Sequence, residues 1–421
     1  MDKAAEIITR LLPQQIKALK KIQQQPGLLL QHGLGSGKTL SSIAMVDLLG
    51  KPTTVVAPAA LIPNYKKEIR KHILGDKEDI DYISVEKLRR NPELLQDKTN
   101  VLVVDEAHRL RNTSSPAYKA IQDMPAEKKI LLSATPGINK PEDIRNLVRL
   151  IDPSPKSIAN YIDFYTSPRD KNFPTRIDKK ISVKMAPKQE ELFKDYLYSN
   201  TIFGTKKVTP YMLKRIMSGM PVDFQEKELG NFFMGNTRQI SNDINKYNDE
   251  FIASPKIKRV IRDIKNGPGK TIVYSNYIGS GITPLKDELT SQGYSVGTFT
   301  GQDTKSEKEK AIMDYNNDKL DVLLLSASGG EGLDLKGTRQ IQILEPHWNE
   351  SRIEQVIGRG IRYKSHEHLP RREQNVQVKY YNATPKVGIG TDDYLRRISL
   401  DKQKDINTYI TRLKNVQHRM A

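Results

Sequence analysis

A glycine-rich stretch near the N-terminus, QHGLGSGKTL at residues 31–40, contains the residue types that bind phosphate. A short apolar run, Gly27–Leu30, precedes it and is typical of a buried parallel strand. The residues from Thr39 to Gly50 have apolar side chains at nearly helical spacing. Glycines in a tight loop let backbone N–H groups approach an anion, and the N-terminus of the following helix adds its positive dipole. The stretch therefore predicts a phosphate-binding loop between a strand and a helix.

The residues of this loop have separate expected roles. Three small residues would form the cradle: Gly35, Ser36 and Gly37. Lys38 would reach the β- and γ-phosphates of a nucleotide, and Thr39 would ligate Mg²⁺. The general phosphate-loop pattern has a glycine five residues before Gly37, where this chain has His32. An ordinary glycine-rich turn is the alternative, and the lysine–threonine pair in register favours the nucleotide loop.

Two carboxylates follow the apolar run VLVV at residues 101–104. This run predicts a buried strand, and in open α/β sheets ligands bind beyond the C-terminal ends of the strands. Asp105 is suited to hold Mg²⁺, usually through water, and Glu106 is suited to polarise the attacking water. An Asp-Glu pair after a strand is weak evidence alone, but its position downstream of a phosphate loop indicates nucleotide hydrolysis.

A pair of arginines lies far along the chain, in QVIGRGIR at residues 355–362. Arg359 and Arg362 are three residues apart, so on a helix they would share a face. Hydrolysis of ATP develops negative charge on the γ-phosphate, which a cation from a second domain can stabilise. We therefore expect a composite site that closes when the domains close. The alternative is a surface cluster that binds nucleic-acid phosphate.

The chain has 421 residues and a net charge of +18, with no cysteine. Its length predicts two or three domains, and its 37% hydrophobic and 28% charged content predicts a globular, soluble protein. We expect no membrane span and no secretory signal, because neither apolar pattern is present. The lack of cysteine excludes disulfides and Cys-ligated metal sites, and it fits a cytoplasmic setting (host cytoplasm if the protein is viral). The basic balance suits a nucleic-acid partner.

Short β-rich runs alternate with helical patterns twice along the chain, which predicts two doubly wound α/β domains with parallel sheets. These domains are expected at residues 1–153 and 251–385. The segment 154–250 holds 13 of the 28 aromatic residues and predicts a helical insertion. We expect its aromatic side chains to pack in a small core of their own rather than to stack on bases. Residues 386–421 predict a basic C-terminal helix that docks on the second domain.

Taken together, the motifs resemble those of superfamily 2 helicases and translocases, in particular the Swi/Snf-like group. Within that group the chain especially resembles the small helicases of large DNA viruses related to the small subunit of the poxvirus early transcription factor. The likeness is carried, in chain order, by these stretches: LLPQQIKAL (11–19), GLGSGKT (33–39), VVAPAALIPNYKKEI (55–69), DEAH (105–108), LLSATPGINKPEDIRNLVRLI (131–151), FFMGNTRQISN (232–242), SASGGEGLDL (326–335) and EPHWNESRIEQVIGRGIRYKSH (345–366).

The resemblance implies two RecA-like domains, ATP and Mg²⁺ as cofactors, and roles for further single residues. Gln15 would sense the adenine, and Gln355 would lie beside the γ-phosphate. Gly332 and Asp334 would approach the nucleotide and the opposite domain. Three residues would couple the nucleotide state to the grip on nucleic acid: His108, Ser133 and Thr135. The bound strand would cross the domains at three places: Ala57–Pro58, Thr300–Gly301 and Ser326–Ser328.

The expected function is that of a nucleic-acid-dependent ATPase that moves on, remodels or unwinds DNA, with double-stranded or branched DNA as the partner. One alternative is an ATPase subunit of a transcription-factor or polymerase-associated assembly. A second alternative is an RNA helicase.

Overall fold

Two six-stranded sheets form the framework of the protein, and every strand pairing in them is parallel. Unit 1 consists of residues 1–170 and 402–421, and unit 2 of residues 171–401. This computed structural model describes residues 9–33, 35–73, 79–95, 100–165, 172–198, 210–218, 220, 227–247, 254–326 and 333–420. The prediction of two doubly wound α/β domains is confirmed.

Strands and helices alternate along unit 1. Its strands are β1 (Gly27–His32), β2 (Thr53–Ala57), β3 (Ile80–Ser84), β4 (Val101–Val104), β5 (Lys128–Leu132) and β6 (Ile162–Tyr165). Its helices are α1 (Pro13–Gln24), α2 (Lys38–Leu49), α3 (Ile62–His72), α4 (Val85–Arg90), α5 (Pro116–Asp123) and α6 (Glu142–Arg149). The strands lie in the order β3-β2-β4-β5-β1-β6. Since all six are parallel, their C-terminal ends meet at one edge of the sheet.

Both faces of the unit 1 sheet are buried. One face contributes alternate strand residues to a core shared with α4, α5 and α6: Leu29, Val56, Leu102 and Leu131. The other face contributes the intervening residues to a core shared with α1, α2 and α3: Leu28, Leu30, Val55 and Val103. Burial on two sides explains why these strands are continuously apolar in sequence and do not alternate with polar residues.

Two consecutive lysines at the start of β5 hold helix C-termini. Lys128 Nζ donates to the backbone oxygen of Gln25, the C-cap residue of α1, at 2.6 Å. Lys129 Nζ donates to the backbone oxygens of Ile121 and Gln122, in the last turn of α5, at 2.7 and 3.1 Å. Successive strand residues point to opposite faces of a sheet, so one dipeptide reaches a helix in each layer. Cations at these ends stabilise carbonyls that have no partner within their own helix.

Unit 2 repeats the α/β pattern, with two long strands paired at one edge of its sheet. Its strands are β7 (Thr175–Lys184), β8 (Thr271–Tyr274), β9 (Val296–Phe299), β10 (Val322–Leu325), β11 (Gln340–Ile343) and β12 (Asn375–Thr384), in the order β7-β12-β11-β8-β10-β9. Its helices are α7 (Pro187–Tyr198), α8 (Pro210–Met217), α9 (Lys227–Asn242), α10 (Pro255–Lys265), α11 (Thr283–Ser291), α12 (Lys305–Asn316) and α13 (Glu350–Gly360). Helix α14 (Thr391–Met420) ends the described chain. No helix in the described ranges is both long and apolar enough to span a membrane.

The segment 154–250 differs from the predicted all-helical insertion, because it supplies an edge strand to each sheet. Strand β6 pairs with β1 in unit 1, and β7 pairs with β12 in unit 2. The boundary between the two units accordingly falls between residues 170 and 171, and not at 153 and 251. The helices α7, α8 and α9 do share a small core, which contains Phe193, Ile216 and Ile240 together with residues of β12 and α14.

The C-terminal helix is present, but its part from Lys402 to Met420 packs on unit 1 and not on the second domain as predicted. Ile406 and Leu413 are buried in the core of unit 1 that also holds α4, α5 and α6. Gly137 leaves the necessary space, because a Cβ there would lie 2.8 Å from Cγ2 of Ile406. Val416, which the same helical pattern places on the packed face, is 42% exposed. Amphipathic spacing identifies an apolar face, but it does not identify what covers that face.

Candidate active site

The glycine-rich loop after β1 has the conformation that its sequence predicts. Gly35 and Gly37 have φ angles of 71° and 78°, in the left-handed region that residues with side chains seldom adopt. Gly37 is the N-cap of α2, so the loop leads directly into a helix N-terminus. A Cβ on Gly37 would lie 2.7 Å from Nε2 of Gln15, so another residue here would displace the Gln15 amide as well as strain the backbone.

Lys38 opens helix α2, and its ammonium group lies over the loop. Nζ donates to the backbone oxygens of His32 at 3.0 Å and Gly33 at 3.3 Å. The Ser36 hydroxyl donates to the same Gly33 oxygen at 2.6 Å. A cation is therefore held at a helix N-terminus, where phosphate is stabilised by the backbone N–H groups and the helix dipole. The chemistry of this loop fits the triphosphate of ATP, with the Thr39 hydroxyl next along the helix.

Gln15 joins the first turn of α1 to the nucleotide loop. Its side chain is almost fully buried. Oε1 accepts from the backbone N–H of Leu12 at 2.7 Å, and Nε2 donates to the backbone oxygen of Gly37 at 3.3 Å. The resemblance implied that Gln15 senses adenine, and the geometry shows that it also contacts the loop that would hold the phosphates.

The two predicted carboxylates follow β4 at the C-terminal edge of the sheet. Asp105 N–H donates to Val56 of the neighbouring strand at 2.8 Å, and Asp105 Oδ1 accepts from Glu106 N–H at 2.9 Å. Glu106 has a φ of 49° and a ψ of 47°, a left-handed conformation that side-chain-bearing residues adopt at a cost. This turn directs the two adjacent carboxylates differently, in agreement with the separate roles predicted for them.

His108 connects the carboxylate turn to the end of β5. Its Nδ1 lies 3.2 Å from Oε2 of Glu106 and 3.3 Å from Oγ of Ser133. Ser133 Oγ accepts in turn from the backbone N–H of Thr135 at 3.2 Å. The Thr135 hydroxyl is buried and has no hydrogen-bond partner in the described part of the chain. The three residues predicted to act in coupling therefore form one line of contacts that begins at Glu106.

The strand order fixes how these groups are arranged along the edge. Strand β5 lies between β4 and β1, so the Ser133 segment separates the carboxylate turn from the nucleotide loop. Two strand spacings amount to about 10 Å, a distance that side chains and a bound phosphate together can bridge. The Thr39 hydroxyl and the Asp105 carboxylate are oxygen donors, which are the ligands that Mg²⁺ prefers. The donor set at this edge thus fits a magnesium nucleotide.

In unit 2 the predicted arginines lie at the end of α13, but they do not share a helical face. The helix ends at Gly360, and Ile361 is extended with φ −112° and ψ 91°, so Arg362 lies beyond it. Gly360 packs closely, since a Cβ there would lie 3.0 Å from Cγ2 of Thr338. Arg359 is only 7% exposed. The prediction that the two arginines share a helical face was wrong, because α13 ends before Arg362.

Burial lowers the pKa of Arg362, and the attraction of Asp334 opposes that shift. Nε of Arg362 donates to the backbone oxygen of Gly358 at 3.1 Å. The backbone N–H of Leu335 donates to the oxygen of Arg359 at 3.0 Å. These contacts join the segment around Asp334, itself exposed, to the arginine-bearing end of α13. Gln355 is half-buried on the same helix, and Gly332 lies outside the described residues.

The positions predicted to contact the nucleic-acid strand all lie at the ends of strands or directly after them. In unit 1, Ala57 is the last residue of β2 and Pro58 follows it. In unit 2, Thr300–Gly301 follows β9 and Ser326 follows β10, and these two strands are paired neighbours. The remaining residues of that stretch, 327 and 328, lie outside the described part. Within each unit, the predicted contact points therefore lie at the C-terminal edge of the sheet.

Two polar pairs at these elements were missed by the sequence analysis. His32 Nε2 lies 2.7 Å from Asp163 Oδ2, and Arg176 forms two hydrogen bonds with Glu354. An acidic residue inside the short apolar run of β6 was the signal for the first pair. No local signal identifies the second pair, because its partners are 178 positions apart.

Two family models match the chain: an SNF2-related domain over residues 74–166 and a helicase conserved C-terminal domain over residues 255–364. A proposed ATP-dependent RNA helicase of Acanthamoeba polyphaga mimivirus is 30% identical to the chain, over 94% of each protein. The chain belongs to the Swi/Snf-like helicases of superfamily 2. As a Swi/Snf-like helicase, it is an ATP-hydrolysing enzyme.

More distant relatives of this Swi/Snf-like helicase also align over most of its length. A termination factor NPH-I homolog of African swine fever virus is 22% identical, over 85% of this chain and 69% of its own. An uncharacterised ATP-dependent helicase of Bacillus subtilis is 22% identical, over 89% of this chain and 75% of its own. The solved SWI2/SNF2 ATPase core of Sulfolobus solfataricus, in complex with dsDNA, is 17% identical over 91% of this chain and 90% of that one, with a TM-score of 0.38.

Proposed function

We propose that this Swi/Snf-like helicase couples the hydrolysis of Mg-ATP to movement along DNA, or to its remodelling. The observation that carries the proposal is the line of contacts from Glu106 through His108 to Ser133. It lies at the same sheet edge as the loop that holds Lys38. A water-activating carboxylate is thereby linked to a neighbouring strand end, so a change at the nucleotide can alter another part of the edge.

The nucleotide loop would bind the phosphates when Lys38 exchanges its hydrogen-bond partners. Lys38 would leave the backbone oxygens of His32 and Gly33 and donate to phosphate oxygens, because a hydrogen bond to an ionised acceptor is stronger than one to a neutral carbonyl. Magnesium held by Thr39 and Asp105 would supply positive charge at the phosphates. The Ser36–Gly33 hydrogen bond would keep the loop in shape during the exchange.

Glu106 would orient the attacking water and polarise its O–H bond. The imidazole of His108, 3.2 Å from Glu106, would hold the carboxylate in one orientation. Because the same imidazole contacts Ser133, a movement of Glu106 would alter the contact with Ser133. Arg359 and Arg362 would stabilise the charge that develops on the γ-phosphate. The left-handed backbone at Glu106 supports this assignment, since strained residues persist where the surrounding structure fixes them for function.

DNA would be held mainly through its phosphates. The net charge of +18 supports a polyanionic partner, and the strand ends at Ala57–Pro58, Thr300–Gly301 and Ser326 supply backbone groups at the sheet edges. Affinity should therefore fall steeply as salt rises.

The proposal is tested by the steady-state ATPase rate of the full chain with duplex, forked, single-stranded and Holliday-type DNA, and with RNA. We expect a rate that requires Mg²⁺ and rises at least tenfold with one of the DNAs. Glu106→Gln should keep ATP binding and lose about a hundredfold or more in turnover, because the amide keeps the shape and loses the base. Glu127→Gln is the matched control, since that carboxylate precedes β5 at the opposite edge. Turnover without stimulation by any DNA would contradict the proposal.

Two alternatives have support from the relatives. One relative is named as a termination factor homolog, which supports an ATPase that works within a transcription assembly. Others are named as proposed RNA helicases, which supports an RNA substrate. A low rate of the isolated chain with every nucleic acid would favour the assembly subunit. Stronger stimulation by RNA than by any DNA would favour the RNA helicase.

A further inference from the structure

The nucleotide loop begins with a buried histidine that is tied to strand β6. His32 is fully buried, and its Nε2 lies 2.7 Å from Oδ2 of Asp163, which is 2% exposed. Leu30 is the register partner of Asp163, so His32 lies two residues further along the same face of the sheet. The ring of Tyr165, the last residue of β6, packs edge-on against the imidazole at 5.6 Å.

This contact fixes the peptide group to which Lys38 bonds. The backbone oxygen of His32 accepts from Lys38 Nζ at 3.0 Å, while its side chain is held by Asp163. A glycine at position 32, as the general phosphate-loop pattern has, would leave that peptide without a side-chain anchor. The imidazole–carboxylate pair is buried and charge-assisted, so it is stronger than an exposed hydrogen bond.

A second anchor holds the arginine-bearing helix of unit 2. Arg176, the second residue of β7, donates from both terminal nitrogens to the two carboxylate oxygens of Glu354, at 2.7 and 2.9 Å. It also donates to the hydroxyl of Tyr380 at 2.7 Å. Glu354 lies on α13, next to Gln355 and five residues before Arg359. The planar guanidinium therefore fixes both the position and the rotation of α13 where it approaches the arginines.

The two anchors flank the place where the chain leaves unit 1 and enters unit 2. Asp163 lies in β6, which ends at Tyr165, and Arg176 lies in β7, which begins at Thr175. We propose that Asp163 and Arg176 are positioning residues: Asp163 holds the nucleotide loop through His32, and Arg176 holds the arginine-bearing helix α13 through Glu354. The inference rests on the proposed function, and it names the residues that hold the two groups of candidate catalytic side chains in place.

The two anchors should act on different kinetic constants. Loss of the His32–Asp163 pair leaves Lys38 and its loop less well placed to receive ATP, so KM for ATP should rise more than kcat falls. Loss of the Arg176–Glu354 pair lets α13 shift, so kcat should fall more than KM rises, because the arginines act on transition-state charge. One lost charge-assisted hydrogen bond corresponds to a change of about tenfold in each case.

The test measures KM and kcat of the full chain for Asp163→Asn and Glu354→Gln, with and without DNA, beside two matched controls. Glu68→Gln breaks another histidine–carboxylate pair in unit 1, with His72 at 3.0 Å, away from the loop. Glu373→Gln breaks another arginine–carboxylate pair in unit 2, with Arg339 at 3.0 Å, away from α13. We expect about tenfold effects for the first two variants and less than twofold effects for the controls. Equal effects within either matched pair would overturn the inference.

Two further variants keep the result clear if Asp163→Asn fails to fold. His32→Gln keeps a donor for Asp163 and should retain nearly the KM of the unaltered enzyme, while His32→Gly should raise it. A His32→Gly enzyme with unaltered KM would refute the role of the anchor. An inactive unaltered enzyme would instead count against the proposed function.

Discussion

The two units present their candidate catalytic residues on different kinds of structure. In unit 1, Lys38 is the first residue of α2 after the glycine-rich loop, and Glu106 lies in the turn after β4, so local backbone geometry fixes both. In unit 2, Arg359 lies within an 11-residue helix, and Arg362 lies two residues beyond its end. The position of those arginines depends on how α13 packs through Ile353, Val356 and Ile357. The positions of Lys38 and Glu106 should therefore tolerate changes in distant packing, whereas the positions of the two arginines should not.

Substitution of the two arginines is expected to give the largest loss and tests the helix side of this comparison. Arg359→Ala and Arg362→Ala should each lower kcat by about 10³-fold or more, with a smaller change in ATP affinity, because such arginines stabilise transition-state charge. Replacement of either arginine by lysine should restore little of the turnover, since lysine lacks the planar guanidinium group. Turnover at saturating ATP and DNA is measured beside nucleotide-free DNA affinity, with exposed Arg372→Ala as control. Weak DNA binding with normal saturated turnover would mean that the arginines only bind nucleic acid.

Substitution of Lys38 tests the loop side. Lys38→Ala should lower turnover by about 10²–10³-fold and weaken ATP binding, because the cation at the phosphates is lost, while the fold is retained, because the Lys38 side chain is not part of the hydrophobic core. Lys51→Ala, at the other end of α2, removes an exposed lysine that pairs with Glu127 and serves as control. ATP binding by calorimetry and turnover by phosphate release measure the two effects. A nearly unaltered rate would mean that the loop does not bind phosphate.

The core of unit 1 should be more sensitive than that of unit 2 to changes near the C-terminus. Ile406→Ala removes a buried side chain from unit 1 and should lower its free energy of unfolding by about 2–5 kcal/mol. Val416→Ala, on the same helix but 42% exposed, should change it by less than about 0.5 kcal/mol. Trp348, the chain's single tryptophan, lies in unit 2 and reports that unit by fluorescence. A shift of the tryptophan transition equal to the shift seen by circular dichroism would contradict the assignment.

The smallest expected effect is the contribution of Lys129 to the pH dependence of the free energy of unfolding. Burial lowers the pKa of Lys129 from 10.5 to about 8. Between these values the unfolded chain binds more protons than the folded chain, so the free energy of unfolding should rise with pH from about 8 to 10.5. Lys129→Met, which keeps the stem and removes the charge, should remove this part of the rise. Urea midpoints at several pH values in that window measure it, and identical slopes for both proteins would refute the buried position of the ammonium group.

The sequence predicted the local structure around the candidate site of unit 1 well because its motifs are local. The apolar run before Gly33, the glycines with positive φ and the carboxylates after β4 are neighbours in both sequence and space. The end of α13 was harder to predict, since the helix ends at Gly360 where the backbone packs closely against Thr338, a residue 22 positions away in the chain. Strand β7 escaped notice because it is an edge strand with mostly exposed, charged residues and lacks the apolar run of a buried strand.

Contacts between distant residues explain the remaining misses. The spacing of His32 and Asp163 carries no pattern, because a parallel neighbour strand brings them together after 131 residues. The surface that receives the C-terminal helix is equally hard to predict from sequence, since the apolar stripe of the helix fits any apolar groove of the right length. Sequence reasoning therefore identified the candidate nucleotide-binding groups, and it missed the residues that hold them in place.

The return of α14 to unit 1 sets the order of events during synthesis. Ile406 and Leu413 complete a core whose other members lie between residues 29 and 164. A ribosome adds roughly 5–20 residues per second, so the nascent unit 1 waits ten seconds or more with that groove uncovered. Unit 2, between residues 171 and 401, is made during this interval. The N-terminal half of the enzyme is thus finished last, and chaperones have their longest opportunity to bind it beside Gly137, where Ile406 has yet to arrive.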